Sequence, residues 1–185
     1  MTLTFDEANH KYYDGDVELP SVTTITRFCS YDSINGKGID PFYRDRGTLI
    51  HALCADYDLT DELPRGTGVD GYLKAYADFK RDYRPKWDYV EHMVGNVELG
   101  FAGTIDRIGY INGQLAILDL KSSSKVNLVA LTAQLTGYAW LIDKPIMLYG
   151  LQLQKKGDYR LIPVQADYEL FKACQVLHKK GLKHK

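Results

Sequence analysis

Gly103-Thr104-Ile105-Asp106-Arg107-Ile108-Gly109-Tyr110-Ile111-Asn112-Gly113-Gln114-Leu115-Ala116-Ile117-Leu118-Asp119-Leu120-Lys121 is the stretch whose reading decides the fold. Asn112-Gly113 is a strong two-residue hairpin signal, because both central residues of a type I′ turn need positive φ and these two tolerate it. With them as the turn, Ile111 faces Gln114, and counting outward in that register sets Asp106 opposite Asp119. Cross-strand partners share a face with Cβ atoms roughly 4.5–5.5 Å apart. Lys121, two residues beyond Asp119, points to the same side. Residues 114–118 are apolar on both faces after Gln114, which reads as an inner strand covered on both sides. Two carboxylates about 5 Å apart repel by roughly 3 kcal/mol at an effective dielectric near 20. A lysine offsets part of that cost and a divalent cation reverses it. Oxygen ligands beside a substrate phosphate suit magnesium. An Asp-Lys-Asp ion cluster at a strand end is the purely structural alternative for the same three residues.

Outward from the hairpin, residues 88–94 read as a neighbouring strand. Residues 146–153 and 159–164 read as two more, around the turn Lys155-Lys156-Gly157-Asp158. Helical spacing covers residues 43–57, 68–83, 127–142 and 168–178, and a shorter helix over 22–28 has Ser21 as its cap. Residues 11–13 and 17–19 form a hairpin around Asp14-Gly15-Asp16, and residues 30–40 form a loop. The expected architecture is one α/β domain over residues 1–185. A central mixed β-sheet with an antiparallel hairpin core is flanked by helices.

The composition narrows the function classes. The chain has 185 residues, 45% of them hydrophobic and 25% charged, with a net charge of −1, so bulk charge announces neither nucleic acid nor membrane. Any polyanion site is local. No apolar run approaches the roughly 18 residues of a membrane span, and the polar opening Met1-Thr2-Leu3-Thr4 is no signal peptide, so the expected location is cytoplasmic. Cys29, Cys54 and Cys174 are too few and too scattered for a disulfide framework, a zinc ribbon or an iron-sulfur cluster, and are expected to be reduced. No Gly-Lys-Ser/Thr phosphate loop is present, which excludes nucleotide binding of that kind.

Gly103-Thr104-Ile105-Asp106, then Asp119-Leu120-Lys121, then Gln134 and Tyr138 four apart, preceded by Gly47 and His51 four apart, resemble the PD-(D/E)XK nuclease superfamily. The similarity is to its RecB-like branch. The opening Asn9-His10-Lys11-Tyr12-Tyr13 and Pro20-Ser21-Val22-Thr23 are similar to the start of small phage and prophage exonucleases, so the resemblance runs along nearly the whole chain. Ile105 stands where the family name has proline. The resemblance implies a restriction-endonuclease-like fold holding Mg²⁺ or Mn²⁺ and hydrolysing DNA phosphodiesters, as an exonuclease in phage recombination or replication. It implies Asp106 and Asp119 as metal ligands, His51 as a further ligand, and Lys121 as the group that orients water or steadies the phosphate charge. Gln134 and Tyr138 would line the site near DNA. The third acid of the family falls on Glu91, on the strand beside the hairpin, or on Glu98 near its end, and Glu91 is preferred.

Arg44 and Arg46, one turn before His51, are candidates for phosphate docking, and Ser122, just after Lys121, supplies a hydroxyl beside the site. The expected partners are DNA and either further copies of the chain or a recombination or single-strand-annealing protein. A sequence- or structure-specific endonuclease, and a DNA-binding module that keeps the fold without cutting, are the alternatives. The basic residues 179–185 and the pair Lys155 and Lys156 read as solvated charge.

Overall fold

β6 (Gln114–Lys121) is the middle strand of a five-stranded sheet whose order is β4 (Lys86–Asn96), β5 (Phe101–Ile111), β6, β7 (Met147–Leu153) and β8 (Tyr159–Val164), as the two-sided apolar run of residues 115–118 requires. The computed structural model describes residues 3–6, 9, 11–29 and 41–181. In chain order the other elements are β1 (Leu3–Asp6), β2 (Lys11–Asp14), β3 (Val17–Leu19), α1 (Val22–Thr26) with a 3₁₀ turn (Arg27–Cys29), α2 (Pro41–Thr60), α3 (Asp70–Tyr83), β4 (Lys86–Asn96), β5 (Phe101–Ile111), α4 (Leu128–Ile142), β7 (Met147–Leu153), β8 (Tyr159–Val164) and α5 (Tyr168–Lys179). β6 and β7 are parallel and the other pairings in this sheet are antiparallel. α4 is the crossover that a parallel pair needs. The fold is therefore mixed α/β, with helices on both faces of the sheet.

Side chains on β6 alternate between two cores. Ile117 joins Val22, Phe101, Ile105, Leu135 and Phe171 beneath α1, α4 and α5. Ala116, Leu118 and Leu120 join Ile50, Cys54, Tyr76 and Phe79 beneath α2 and α3. The hairpin has the expected turn: Asn112 and Gly113 have φ of 52° and 77°. Its ladder runs from Ile111–Gln114 to Arg107–Leu118 in the expected register. It stops one position before the two aspartates, where Asp106 takes over a backbone partner: the Leu120 N–H donates to Asp106 Oδ2 at 2.6 Å.

Local signals account for the helix starts. The Ser21 hydroxyl accepts from the Thr24 N–H at 2.9 Å, and Asn127 accepts from the Ala130 N–H at 3.1 Å. Arg84, at φ 45°, ends α3 directly before Pro85. The helix expected over residues 22–28 is split, with α1 ending at Thr26 and the 3₁₀ turn completing it. β1 had no counterpart in the sequence reading, and β1, β2 and β3 make a separate antiparallel sheet. That sheet docks on β5 through Tyr12, whose hydroxyl lies 2.8 Å from Thr104 Oγ1. Gly103 is required for packing: a Cβ there would stand 2.8 Å from Tyr138 Cε1. The expected loop over 30–40, His10 of the opening motif and residues 182–185 of the basic tail lie outside the described residues. Among the described residues no helix is long and apolar enough to cross a membrane.

Candidate active site

Three elements deliver one donor group each to a common point. His51 comes from the middle of α2, Glu91 from β4 and Asp106 from β5, and one ligand atom of each lies within 4.8 Å of the others. His51 Nδ1 is 3.4 Å from Asp106 Oδ2 and its Nε2 is 3.1 Å from the Leu120 carbonyl oxygen. Both ring nitrogens thus face oxygens, which an imidazolium satisfies best because both its nitrogens donate. Burial alone would lower the His51 pKa, but the adjacent Asp106 carboxylate outweighs it and lifts the value to about 9. For Asp106 burial works against ionisation, yet the His51 charge and the Leu120 N–H hold the carboxyl below its ordinary range. Burial and the nearby Asp106 charge push Glu91 upward.

Asp119 and Lys121 form an adjoining group on the same side of β6. Lys121 Nζ is 2.6 Å from Asp119 Oδ2 and donates to Gln134 Oε1 at 2.9 Å, while Gln134 Nε2 donates to Asp119 Oδ1 at 2.9 Å. Asp119 is 3% exposed, and burial raises its pKa. The Lys121 ammonium approaches Asp119 Oδ2 without hydrogen-bond alignment, and that oxygen is buried with no hydrogen-bond partner. The structure therefore brings Glu91, rather than Asp119, into the three-residue group with His51 and Asp106, and holds Asp119 one step away on lysine and glutamine.

Gln134 is central to the second group. Tyr138 is 4% exposed and reaches it only at its tip, accepting from Gln134 Nε2 at 3.4 Å, so most of the ring is core. Arg46 donates from Nη2 to the Ser122 carbonyl at 3.2 Å, and its guanidinium lies over the rings of Tyr43 and Tyr72. It braces α2 against the end of β6, and the Ser122 backbone rather than its hydroxyl makes this contact. Arg44 is at the surface on its neighbour Asp45. Glu98 follows β4 in the turn leading to β5, outside the three-residue group.

Two features were not read from the sequence. Glu91 has φ of 49° inside a strand, a conformation costly for a residue with a Cβ and frequent where a side chain is re-aimed at a site. Arg107, fully buried, donates to Asp58 Oδ2 at 2.6 Å and to Glu91 Oε1 at 3.0 Å, fixing the back of the Glu91 carboxylate. A charged residue inside an apolar strand signals that a buried partner exists, but nothing local says that the partner is Asp58.

No protein-family description matches the chain, and no curated protein does. Among solved structures, one described as the crystal structure of SSO0001 is similar with a TM-score of 0.43 and 13% identity, over 91% of this chain and 76% of that one. Likeness at that level says nothing of activity.

The donor set, one imidazole nitrogen and two carboxylates, could hold a divalent metal ion. The three ligand atoms lie within 4.8 Å of one another, and the His51 and Glu91 side chains keep 30% and 38% of their surface exposed.

Proposed function

We propose that the protein is a metal-dependent deoxyribonuclease of the restriction-endonuclease-like type, acting as an exonuclease in phage or prophage recombination or replication. The observation that carries this reading is the meeting of His51, Glu91 and Asp106 from three separate elements, beside the Asp119, Lys121 and Gln134 group. The motif resemblance supplies the substrate class.

His51, Glu91 and Asp106 would hold Mg²⁺ or Mn²⁺, with Asp119 one step away on Lys121 and Gln134. The cation supplies Lewis acidity that acidifies water and neutralises charge growing on the phosphate. Lys121 contributes a fixed positive charge beside the scissile group. Gln134, bonded to both Asp119 and Lys121, keeps the two in register. Arg107 anchors Glu91 from behind, so the carboxylate is positioned before any ligand arrives.

The test is cleavage of linear duplex and single-stranded DNA with Mg²⁺ or Mn²⁺. Degradation from ends, abolished in Asp106→Asn and Lys121→Ala, is the expected result, whereas activity unchanged in both variants rejects the proposal. A covalently closed circle left intact distinguishes an exonuclease from an endonuclease. The 2.6 Å contact of Lys121 with Asp119 favours one second reading, a DNA-binding module that does not cut, because the buried carboxylate already has a counter-charge. Calorimetry with Mn²⁺ separates the two: the enzyme takes up the ion at the carboxylates, and the non-cutting module does not.

A further inference from the structure

Two of the three cysteines meet in the apolar core shared by α1, α4 and α5. Cys29 ends the 3₁₀ turn after α1 and Cys174 lies within α5, 145 positions apart, with their Sγ atoms 3.2 Å from each other. All three thiols are free. The core enforces the meeting: Val22, Ile25, Phe171 and Cys174 share one apolar cluster, against which Cys29 packs. The Asn127 side chain, at the start of α4, donates to the Cys29 carbonyl at 2.9 Å and pins the turn in place.

The two sulfurs are not equivalent. Cys29 is half-buried and Cys174 is buried, so a small solute in water reaches Cys29 first. The hydrogen bond between them brings Cys29 down to about 7 and drives Cys174 far above the ordinary thiol range. Cys54 is the contrast. It is buried, burial pushes it up to about 12, and it packs in the other core with Ile50 and Leu120. It is chemically inert by comparison.

We propose that Cys29 and Cys174 are a reversible oxidation site that forms an intramolecular disulfide on reaction with a hydroperoxide. The Cys29 thiolate sulfur attacks the terminal peroxide oxygen, the O–O bond breaks, and hydroxide or alkoxide leaves, giving a sulfenic acid on Cys29. The Cys174 sulfur then attacks the Cys29 sulfur. The S–O bond breaks, the Cys174 proton goes to the departing hydroxyl, and water leaves as the S–S bond forms. Two thiols are oxidised and one hydroperoxide is reduced, and an external dithiol reverses the step by exchange. The sulfurs have to close from 3.2 Å to about 2.05 Å, a displacement within the reach of χ1 adjustments and slight movement of the turn. The product staples the turn that follows α1 to α5, closing a loop over most of the chain.

The experiment treats the full chain with about one equivalent of hydrogen peroxide, then blocks remaining thiols by alkylation and maps peptides without reduction. The expected result is one linked peptide pair containing Cys29 and Cys174, lower in mass by two hydrogen atoms than the two free thiols, with Cys54 alkylated and so never oxidised, and full reversal by dithiothreitol. The Cys174→Ser variant should accumulate a dimedone-reactive sulfenic acid at Cys29. In the wild-type protein the disulfide should raise the thermal midpoint by roughly 5–15 °C, since it restricts the unfolded chain. Alkylation of both Cys29 and Cys174 after peroxide, preferential oxidation of Cys54, a linkage between two chains, or a lowered midpoint overturns the proposal. The wild-type mapping decides the matter even if Cys174→Ser does not fold.

Discussion

Asp106 and Arg107 are neighbours on β5, both buried and both charged, and their surroundings treat them in opposite ways. Arg107 is sealed: it is wholly buried against Asp58, which is itself 1% exposed, and Tyr76 and Lys80 add further contacts to Asp58. Asp106 opens toward His51 and Glu91, whose side chains keep about a third of their surface in water. Glu91 belongs to both sets, contacting Arg107 with one oxygen and lying beside Asp106. A buried charge with a fixed partner of opposite sign serves the fold. A set of donors that solvent still reaches can exchange a proton for a cation.

Breaking the open side should abolish activity while leaving the fold. Asp106→Asn and Lys121→Ala are each expected to lower DNA cleavage at least a thousandfold, about 4 kcal/mol of barrier, with circular dichroism unchanged; single-turnover assays measure it. Breaking the sealed side should do the reverse. Arg107→Ala leaves the buried Asp58 with Lys80, 3.2 Å away, as its remaining counter-charge and is expected to cost about 2–4 kcal/mol of stability, read from denaturant midpoints. A Asp58→Asn, Arg107→Met double variant should recover a good part of that loss, because both charges are gone. Comparable losses of activity for Arg107→Ala at a temperature where it is still folded would show that Arg107 acts mainly by holding Glu91.

Gly103 sharpens the comparison from the packing side. Gly103→Ala pushes a methyl into the Tyr138 ring and is expected to cost about 1–3 kcal/mol. Cleavage should fall too, because Tyr138 shares Gln134 with Asp119 and Lys121. The mildest expected effect is on pH dependence. The folded-state pKa of His51, about 9, lies above its unfolded value of 6.5. In the metal-free protein its charged interaction with Asp106 is therefore fully present below about pH 6.5, and it fades as pH rises through about 9. Screening by solvent at a side chain 30% exposed reduces the contribution to about 1–2 kcal/mol. Urea unfolding across that range should show the loss in wild type and not in His51→Gln.

Much of the sheet was legible because its signals are local. The turn chemistry of Asn112-Gly113 and the period-two geometry of β6 set the hairpin register. They also place Asp119 and Lys121 on one face, where the structure pairs them. The four-residue spacing of Gln134 and Tyr138 likewise survives as a hydrogen bond within α4. Partners distant along the chain were not legible. Arg46, expected at phosphate one turn before His51, contacts the Ser122 carbonyl, 76 residues away, and two tyrosine rings. The odd cysteine count likewise hid the Cys29 and Cys174 contact, since spacing along the chain carries no information about two elements that pack on the same helix.

By itself the sequence determined most of the elements, the hairpin register and the middle position of β6, because backbone conformation and burial period are written residue by residue. Tertiary structure alone decided that Glu91 rather than Asp119 meets His51 and Asp106, that Arg107 is sealed on Asp58, and that two distant thiols touch. Those outcomes depend on how β4, α2 and α5 are brought against the sheet, and that arrangement comes from core packing between segments far apart in the chain.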